Sequence, residues 1–189
     1  VEGGITFTSN KPAMTLKVDL DADVTTNPAL TSFGADNLSL ALDAEGEGLP
    51  AGGAKLTLQT QLLIDTLADT LQLKSLAITG PAMAAQGNLS VSALQTKPAV
   101  SGELSIAETN PKTLASMFAA PIETTDPNAL TRASGTLGFS FADGKLRLSP
   151  LQIALDDSKL SGYINVEDTA GPVVRTKLDL DQIDLDRYL

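Results

Sequence analysis

The chain has 189 residues, of which 42% are hydrophobic and 19% charged, so it is long enough for one full core and too apolar for a disordered tail. Its net charge of −10 would repel a phosphate backbone, which argues against nucleic acid as a partner. It contains no cysteine and no histidine. This composition excludes disulfides and thiolate nucleophiles, and it removes the commonest general base.

The chain begins at Val1 and has no charged-then-apolar leader sequence. Its apolar runs are far shorter than the roughly 20 residues that a membrane-spanning helix needs. We therefore expect it to be a soluble piece cut from a longer protein.

Apolar and polar residues alternate in several segments along the chain. The pattern covers residues 37–43, 55–64, 88–93, 136–141, 160–166 and 174–180. A period of two predicts strands that have one apolar and one polar face.

Turn-forming residues separate these segments. Asp143-Gly144 is a strong hairpin signal, because both residues tolerate the positive φ of a tight turn. Asp156-Asp157 predicts a second turn, and the glycines between Glu45 and Gly53 predict a longer loop. Parallel strands would need long crossover connections, so these short spacings predict an antiparallel meander.

Helical signals are few. Asn110 followed by Pro111 is a helix start that predicts a short helix to Phe118. Residues 126–130 repeat that pattern more briefly, and residues 28–33 are a candidate for a further short turn. We expect one or two short helices between strands.

The apolar pattern of residues 62–91 recurs in residues 137–166, which indicates a repeat of about 75 residues. Gly87 aligns with Gly162, and after one deletion Pro98 aligns with Pro172. The segment Lys17–Asp21 resembles Lys177–Asp181, with Pro12 matching Pro172, and suggests a truncated third copy. We therefore divide this single β domain into a partial repeat (1–36) and two repeats (37–110 and 111–189).

Both full copies change the phase of their alternation at one place. The change falls at Lys74-Ser75 in the first copy and at Ser149-Pro150 in the second. One inserted residue that returns the apolar side chains to the same face is typical of a β-bulge, where a proline is tolerated.

Polar residues offer little chemistry. Asp19, Asp21 and Asp23 lack the glycine and the final acid of an EF-hand loop, so solvent-facing strand positions explain them better. Asp156 and Asp157 are candidates for the paired carboxylates of glycoside hydrolysis, but neighbouring residues of a strand point to opposite faces, so a turn role is favoured. Serines lack a histidine base, and no phosphate-binding loop is present. We expect no enzyme activity, no cofactor and no metal.

The apolar face is the remaining candidate site. An ordinary closed core is the simpler interpretation, whereas an open sheet would leave a groove suited to acyl chains, which need apolar area and little directional bonding. The collective lipid-binding candidates are Leu71, Leu73, Leu76, Ile78, Leu137, Phe139, Leu146, Leu148, Leu151, Ile153, Leu160, Ile164, Leu178 and Leu180.

Residues 104–189 resemble the AsmA family of bacterial envelope proteins. The resemblance rests on Asn110-Pro111 with Leu114, on Asp126-Pro127 with Ala129-Leu130, on Leu155-Asp156-Asp157-Ser158 with Leu160 and Gly162, and on residues 184–189. Residues 1–100 match more loosely. The resemblance implies a parent protein anchored in the inner membrane by one N-terminal helix, with the remainder in the periplasm.

The same resemblance implies a role in outer-membrane biogenesis, through an apolar groove that moves phospholipid between membranes, and no catalytic residues. We expect an all-β fold with a few short helices: a curved antiparallel sheet of repeats, either open and groove-like or two-layered. The alternative function is a structural or adaptor domain with a closed core that binds another envelope protein, for example by strand addition. A carbohydrate-active protein is a weaker rival because aromatic residues are scarce.

Overall fold

A computed structural model describes residues 1–10, 13–46, 49, 53–117, 120–167, 171 and 173–189. It confirms the all-β prediction. The strands are β1 (Glu2–Asn10), β2 (Ala13–Asp21), β3 (Val24–Thr26), β4 (Ser32–Gly46), β5 (Ala54–Asp65), β6 (Thr70–Gly80), β7 (Met83–Ser92), β8 (Ala99–Thr109), β9 (Ala133–Ala142), β10 (Lys145–Leu155), β11 (Ser158–Val166) and β12 (Val174–Leu180). Helix α1 (Pro111–Met117) and a 3-10 helix (Leu185–Arg187) complete the described elements.

All the strands belong to one 12-stranded antiparallel sheet. Each strand pairs with the strand that precedes it in the sequence, with one exception at β3. β2 and β3 both pair with β4 on the same side, β2 along residues 39–46 and β3 along residues 33–35. The sheet is open, with β1 and β12 as its edges. Extensive contacts between described elements join only hydrogen-bonded neighbours, so the open form holds and the two-layer form does not.

The two predicted turns are confirmed. Asp143 (φ 49°) and Gly144 (φ 73°) connect the paired residues Ala142 and Lys145. Asp156 and Asp157 connect β10 to β11 between the paired Leu155 and Ser158.

Both predicted bulges are present. The pairing of β6 with β7 shifts between Leu73 and Leu76, and that of β10 with its neighbours shifts between Leu148 and Leu151. Further shifts occur in β4 and β8, which the sequence had not indicated. One extra residue in a strand bends it and increases its twist, so these bulges curve the sheet without moving apolar side chains off their face.

The helix prediction at Pro111 is confirmed, with Asn110 Oδ1 accepting a 3.0 Å hydrogen bond from the Thr113 N–H. Residues 126–130 form a turn instead of a second helix, and residues 28–30 form a turn before β4 begins. Pro12, Phe118 and Pro172 lie outside the described residues, as does most of the predicted glycine-rich loop after Gly46.

The strands that the repeat relates lie four positions apart in the sheet, because β5–β8 are followed directly by β9–β12. Gly87 and Gly162, which the sequence aligned, occupy similar places. A Cβ at Gly87 would collide with the Glu103 carbonyl oxygen of β8, and one at Gly162 with the Lys177 carbonyl oxygen of β12. At both sites glycine lets the next strand approach closely.

Candidate functional site

The strand register assigns side chains to the two faces of the sheet, because directly paired residues of antiparallel strands share a face. Beginning from Leu71 of β6, successive pairs form an uninterrupted apolar row across nine strands. This row contains Phe33, Ile64, Leu71, Val91, Val100, Phe141, Leu146, Val166 and Val174.

Three further rows lie on the same face. The second contains Leu62, Leu73, Leu89, Gly102, Phe139, Leu148 and Ile164. The third contains Leu76, Gly87, Leu104, Leu137, Leu151, Gly162 and Leu178. The fourth contains Leu20, Leu40, Leu58, Ile78, Ala85, Ile106, Gly135, Ile153, Leu160 and Leu180.

All the lipid-binding candidates named from the sequence belong to these four rows. We call this surface the apolar face. The structure therefore brings them together on one side of the sheet, although they come from five strands that span more than half of the chain.

The apolar face carries no charge among the described, paired strand residues. Every charged residue that the register pairs belongs to the opposite face, which we call the polar face. Its charged members are Glu2, Lys17, Asp19, Asp21, Asp43, Glu45, Lys55, Asp65, Lys74, Glu103, Lys145, Arg147, Lys159, Arg175, Lys177 and Asp179. This separation is what a surface that contacts hydrocarbon requires, because a bare charge there would be costly to desolvate.

No second layer covers the apolar face in the described structure. Leu76 is the one large member that is buried, and no large side chain of the described chain is below 2% exposed. Ile153 is 39% exposed and Leu180 is 47% exposed. Neighbouring side chains of the face cover one another's flanks, and their outer ends remain accessible to solvent.

A cleft over the middle of the sheet does not enclose this face. Its volume is about 600 Å³. Leu104 and Leu137 contribute to its lining, but so do Gln86, Asn88 and Glu103 of the polar face. The apolar candidate site is thus an open surface rather than a closed cavity.

A charged cluster lies at the end of the sheet where the turn between β10 and β11 is located. The Asp156 carboxylate accepts hydrogen bonds from the backbone N–H groups of Leu130 (2.7 Å), Thr131 (3.0 Å) and Arg132 (3.1 Å). It also accepts one from the Tyr188 hydroxyl at 3.1 Å. One side chain therefore fixes the segment that enters β9 and the C-terminal segment together.

Arg187 extends this cluster through two ion pairs. Its Nε donates to Asp126 at 2.8 Å, and its Nη1 donates to Asp157 at 3.0 Å. Arg132 donates a further bond to Asp157 at 3.0 Å. Asp156 and Asp157 were predicted as turn residues and form that turn, whereas Asp126 was predicted to begin a short helix. No sequence pattern indicated that Asp126 and Asp157 share Arg187.

Hydrogen bonding lowers the pKa of two aspartates in this cluster. The pKa of Asp126 lies below its usual value, because it accepts the Asn128 backbone N–H and the Arg187 guanidinium. Burial raises the pKa of Asp156, but the bonds from Leu130, Arg132, Thr131 and Tyr188 together leave it lowered. Burial, together with the hydrogen bond to Asp156 and the Asp156 charge, raises the pKa of Tyr188.

These pKa shifts predict how the cluster responds to acid. A carboxyl group with a lowered folded-state pKa stabilises the fold above its unfolded value of 3.8, and this contribution is lost as the pH falls through the lower folded value. We expect the stability difference between the chain and Asp156→Asn to be largest near neutral pH and to shrink below pH 3.8. Urea unfolding at a series of pH values measures it, and a difference that grows in acid would contradict the assignment.

The described part of the chain carries neither a metal-ligand cluster nor a membrane-spanning helix. No group of three acidic, histidine or cysteine residues there could hold a metal ion. Asp19 and Asp21 lie on the polar face of β2, where the sequence placed them. No described helix is long and apolar enough to cross a bilayer.

Comparison with known proteins adds no relative. No family model, no curated protein and no solved structure matches this chain.

Proposed function

We propose that this chain is a non-catalytic periplasmic segment of an AsmA-like protein of the bacterial envelope, whose parent is anchored in the inner membrane. In this proposal the apolar face shields or conducts the acyl chains of phospholipids between membranes during outer-membrane biogenesis. The observation that carries it is the continuous, uncharged apolar face of an open sheet.

The dimensions of the face suit acyl chains. Neighbouring strands lie about 4.8 Å apart, so a row from β4 to β12 extends roughly 40 Å. An acyl chain in one leaflet spans about half of a 30 Å hydrocarbon layer, and it fits along such a row. Each methylene removed from water contributes about 0.8 kcal/mol, so even partial coverage of one chain is favourable.

The headgroup would remain outside the rows. A phosphate has no cationic partner on the apolar face, because Arg147, Lys159 and Lys177 all belong to the polar face. Acyl chains therefore bind without a fixed headgroup, which suits passage along the sheet better than tight capture of one lipid.

The resemblance to the AsmA family supports this proposal. The segments that carry it, around Asp126, Asp156 and Arg187, meet in one charged cluster at the end of the sheet. This cluster secures the connection between β8 and β9 and the C-terminal segment at the strand ends, away from the rows.

Two rival functions have less support. The adaptor alternative assumed a closed core, and the sheet is open. The glycosidase alternative used Asp156 and Asp157, but three backbone N–H groups and a tyrosine already bind Asp156, while Asp157 pairs with two arginines.

Photo-crosslinking in cells tests the proposal on the full-length protein. A photoreactive residue at Ile153 lies on the apolar face with its side chain 39% exposed, and the same probe at its neighbour Gln152 lies on the polar face. We expect phospholipid adducts at position 153 and none at 152. A folded protein that carries the probe at 153 without lipid adducts would contradict lipid shielding, and protein adducts there would favour an adaptor.

A further inference from the structure

The edge strand β12 presents an unpaired row of backbone groups in the described structure. Asp181 N–H donates to the Lys159 carbonyl, and Glu167 N–H donates to the Val173 carbonyl, on the side that faces β11. Because hydrogen-bonded residues alternate along an antiparallel pair, Thr176, Leu178 and Leu180 direct their N–H and C=O groups away from β11. These groups are available to another strand.

The charges of β12 are arranged in a particular order on the polar face. Arg175, Lys177 and Asp179 lie in β12, and Asp181 follows directly after the strand at the same spacing of two. All four are exposed. A strand that runs antiparallel to β12 with the same sequence would therefore place its acidic half against the basic half of β12.

We propose that β12 pairs with β12 of a second copy of this chain, antiparallel about a two-fold axis at Leu178. Arg175 then faces Asp181 of the second copy, and Lys177 faces its Asp179. Shifting the register by two residues along either strand sets Lys177 against Lys177 or Asp179 against Asp179. Of these registers, only the one centred at Leu178 sets each of the four charged residues against a residue of opposite charge.

The backbone and the apolar face agree with this register. Leu178 is one of the residues whose N–H and C=O point outward, so the two copies exchange hydrogen bonds at the axis. The same pairing sets Thr176 against Leu180 of the second copy and joins the two apolar faces into one surface. Leu178 and Leu180, which are 44% and 47% exposed in the single chain, would gain neighbours there.

The present ion pairs of these residues do not prevent the association. Lys177 lies 3.8 Å from Asp179 of its own strand, and Arg175 lies 3.0 Å from Glu167. Both pairs are exposed and contribute little, so their partners can be exchanged or shared. Asp181 Oδ1 also accepts hydrogen bonds from the backbone N–H groups of Lys159 (2.6 Å) and Gln182 (2.7 Å), so Arg175 of the second copy would meet a carboxylate that keeps these two bonds. The opposite edge is a poorer candidate, because Glu2 is the one charged residue of β1 and it has no cation to meet.

An edge contact buries a small area, so we expect a concentration-dependent dimer. The inference concerns the edge and does not depend on lipid binding. Sedimentation of the chain should show a mass that rises with concentration from 19.6 kDa toward twice that value. Lys177→Asp should abolish the rise, and the double variant Lys177→Asp with Asp179→Lys should restore it.

The matched control is Lys17→Asp. It stands in the same Lys-x-Asp-x-Asp sequence, but on the interior strand β2, and it should leave the dimer unchanged. A mass of 19.6 kDa at every concentration would overturn the proposal and would mean that the charged edge keeps chains apart. Equal loss in both single variants, or no recovery in the double variant, would also overturn it.

Single cysteines test the register in a chain that has none of its own. Paired residues lie within disulfide reach, so Leu178→Cys should crosslink to itself under oxidation. Thr176→Cys and Leu180→Cys should not crosslink alone, but should do so when the two variants are mixed. Val18→Cys, the equivalent position on β2, should stay uncrosslinked. Crosslinking of Val18→Cys to the same extent would indicate nonspecific contact between apolar faces and would contradict the edge pairing.

Discussion

Replacing Asp156 with alanine is expected to lower the free energy of unfolding by about 2–4 kcal/mol, because it removes the acceptor of several hydrogen bonds at once. The N–H groups of Leu130, Thr131 and Arg132 would lose their partner, together with the Tyr188 hydroxyl. The entry to β9 and the C-terminal segment would both loosen. Equilibrium unfolding in urea, followed by circular dichroism, measures this change.

Asp157→Ala is the matched control for this experiment. Asp157 is the next residue in the same turn, but its bonds to Arg132 and Arg187 are ion pairs of a side chain that is 60% exposed. Such pairs contribute up to about 1 kcal/mol, so the control should be much milder. Equal effects of the two substitutions would show that Asp156 has no special role in holding the segments together.

The second large effect is expected at Gly162. Its φ of +150° is accessible essentially to glycine alone, and an added Cβ would collide with the Lys177 carbonyl oxygen of β12. Gly162→Ala should therefore destabilise the chain by about 2–4 kcal/mol. The loss should concentrate at the β11–β12 junction, so amide hydrogen exchange of β12 should accelerate more than that of β6.

Gly3→Ala provides the comparison. Gly3 lies in the edge strand β1, and an added Cβ would meet no atom within 4 Å. Its effect should stay within roughly 0.5 kcal/mol, as for most surface substitutions. If Gly162→Ala were as well tolerated as Gly3→Ala, the close approach of β12 at this position would be wrong.

Alternation in the sequence was enough to predict β4, β5, β7, β9, β11 and β12 and their shared face. Leu38, Leu40 and Leu42 alternate in β4 as clearly as any strand requires, and Lys74-Ser75 marked a bulge because two phases of leucines met there. β1 was not predicted, since Ile5 and Phe7 are its only large apolar residues and two glycines precede them. β1 forms because β2 offers a paired edge along its whole length, and the sequence of β1 alone does not indicate this.

The alternation of apolar and polar residues could not predict that the sheet is open or that the charged cluster forms. A strand such as β10 has the same alternation whether another layer covers Leu151 and Ile153 or leaves them open. Arg187 lies 30 or more residues from the aspartates that bind it, so only the fold brings them together. The sequence around Asp156 predicted a turn, but it did not predict the hydrogen bonds that Asp156 accepts from distant residues.

Because the path of the chain through the sheet almost always moves to the adjacent position, this molecule is close to a one-dimensional system. Each interior strand is held by the strands beside it, and among the described residues no distant segment forms a second layer over the sheet. Loss of an edge strand therefore removes one interface and leaves the rest of the ladder intact. Growth by whole hairpins is equally local, so a sheet of this kind can change length in evolution while each strand keeps the same surroundings.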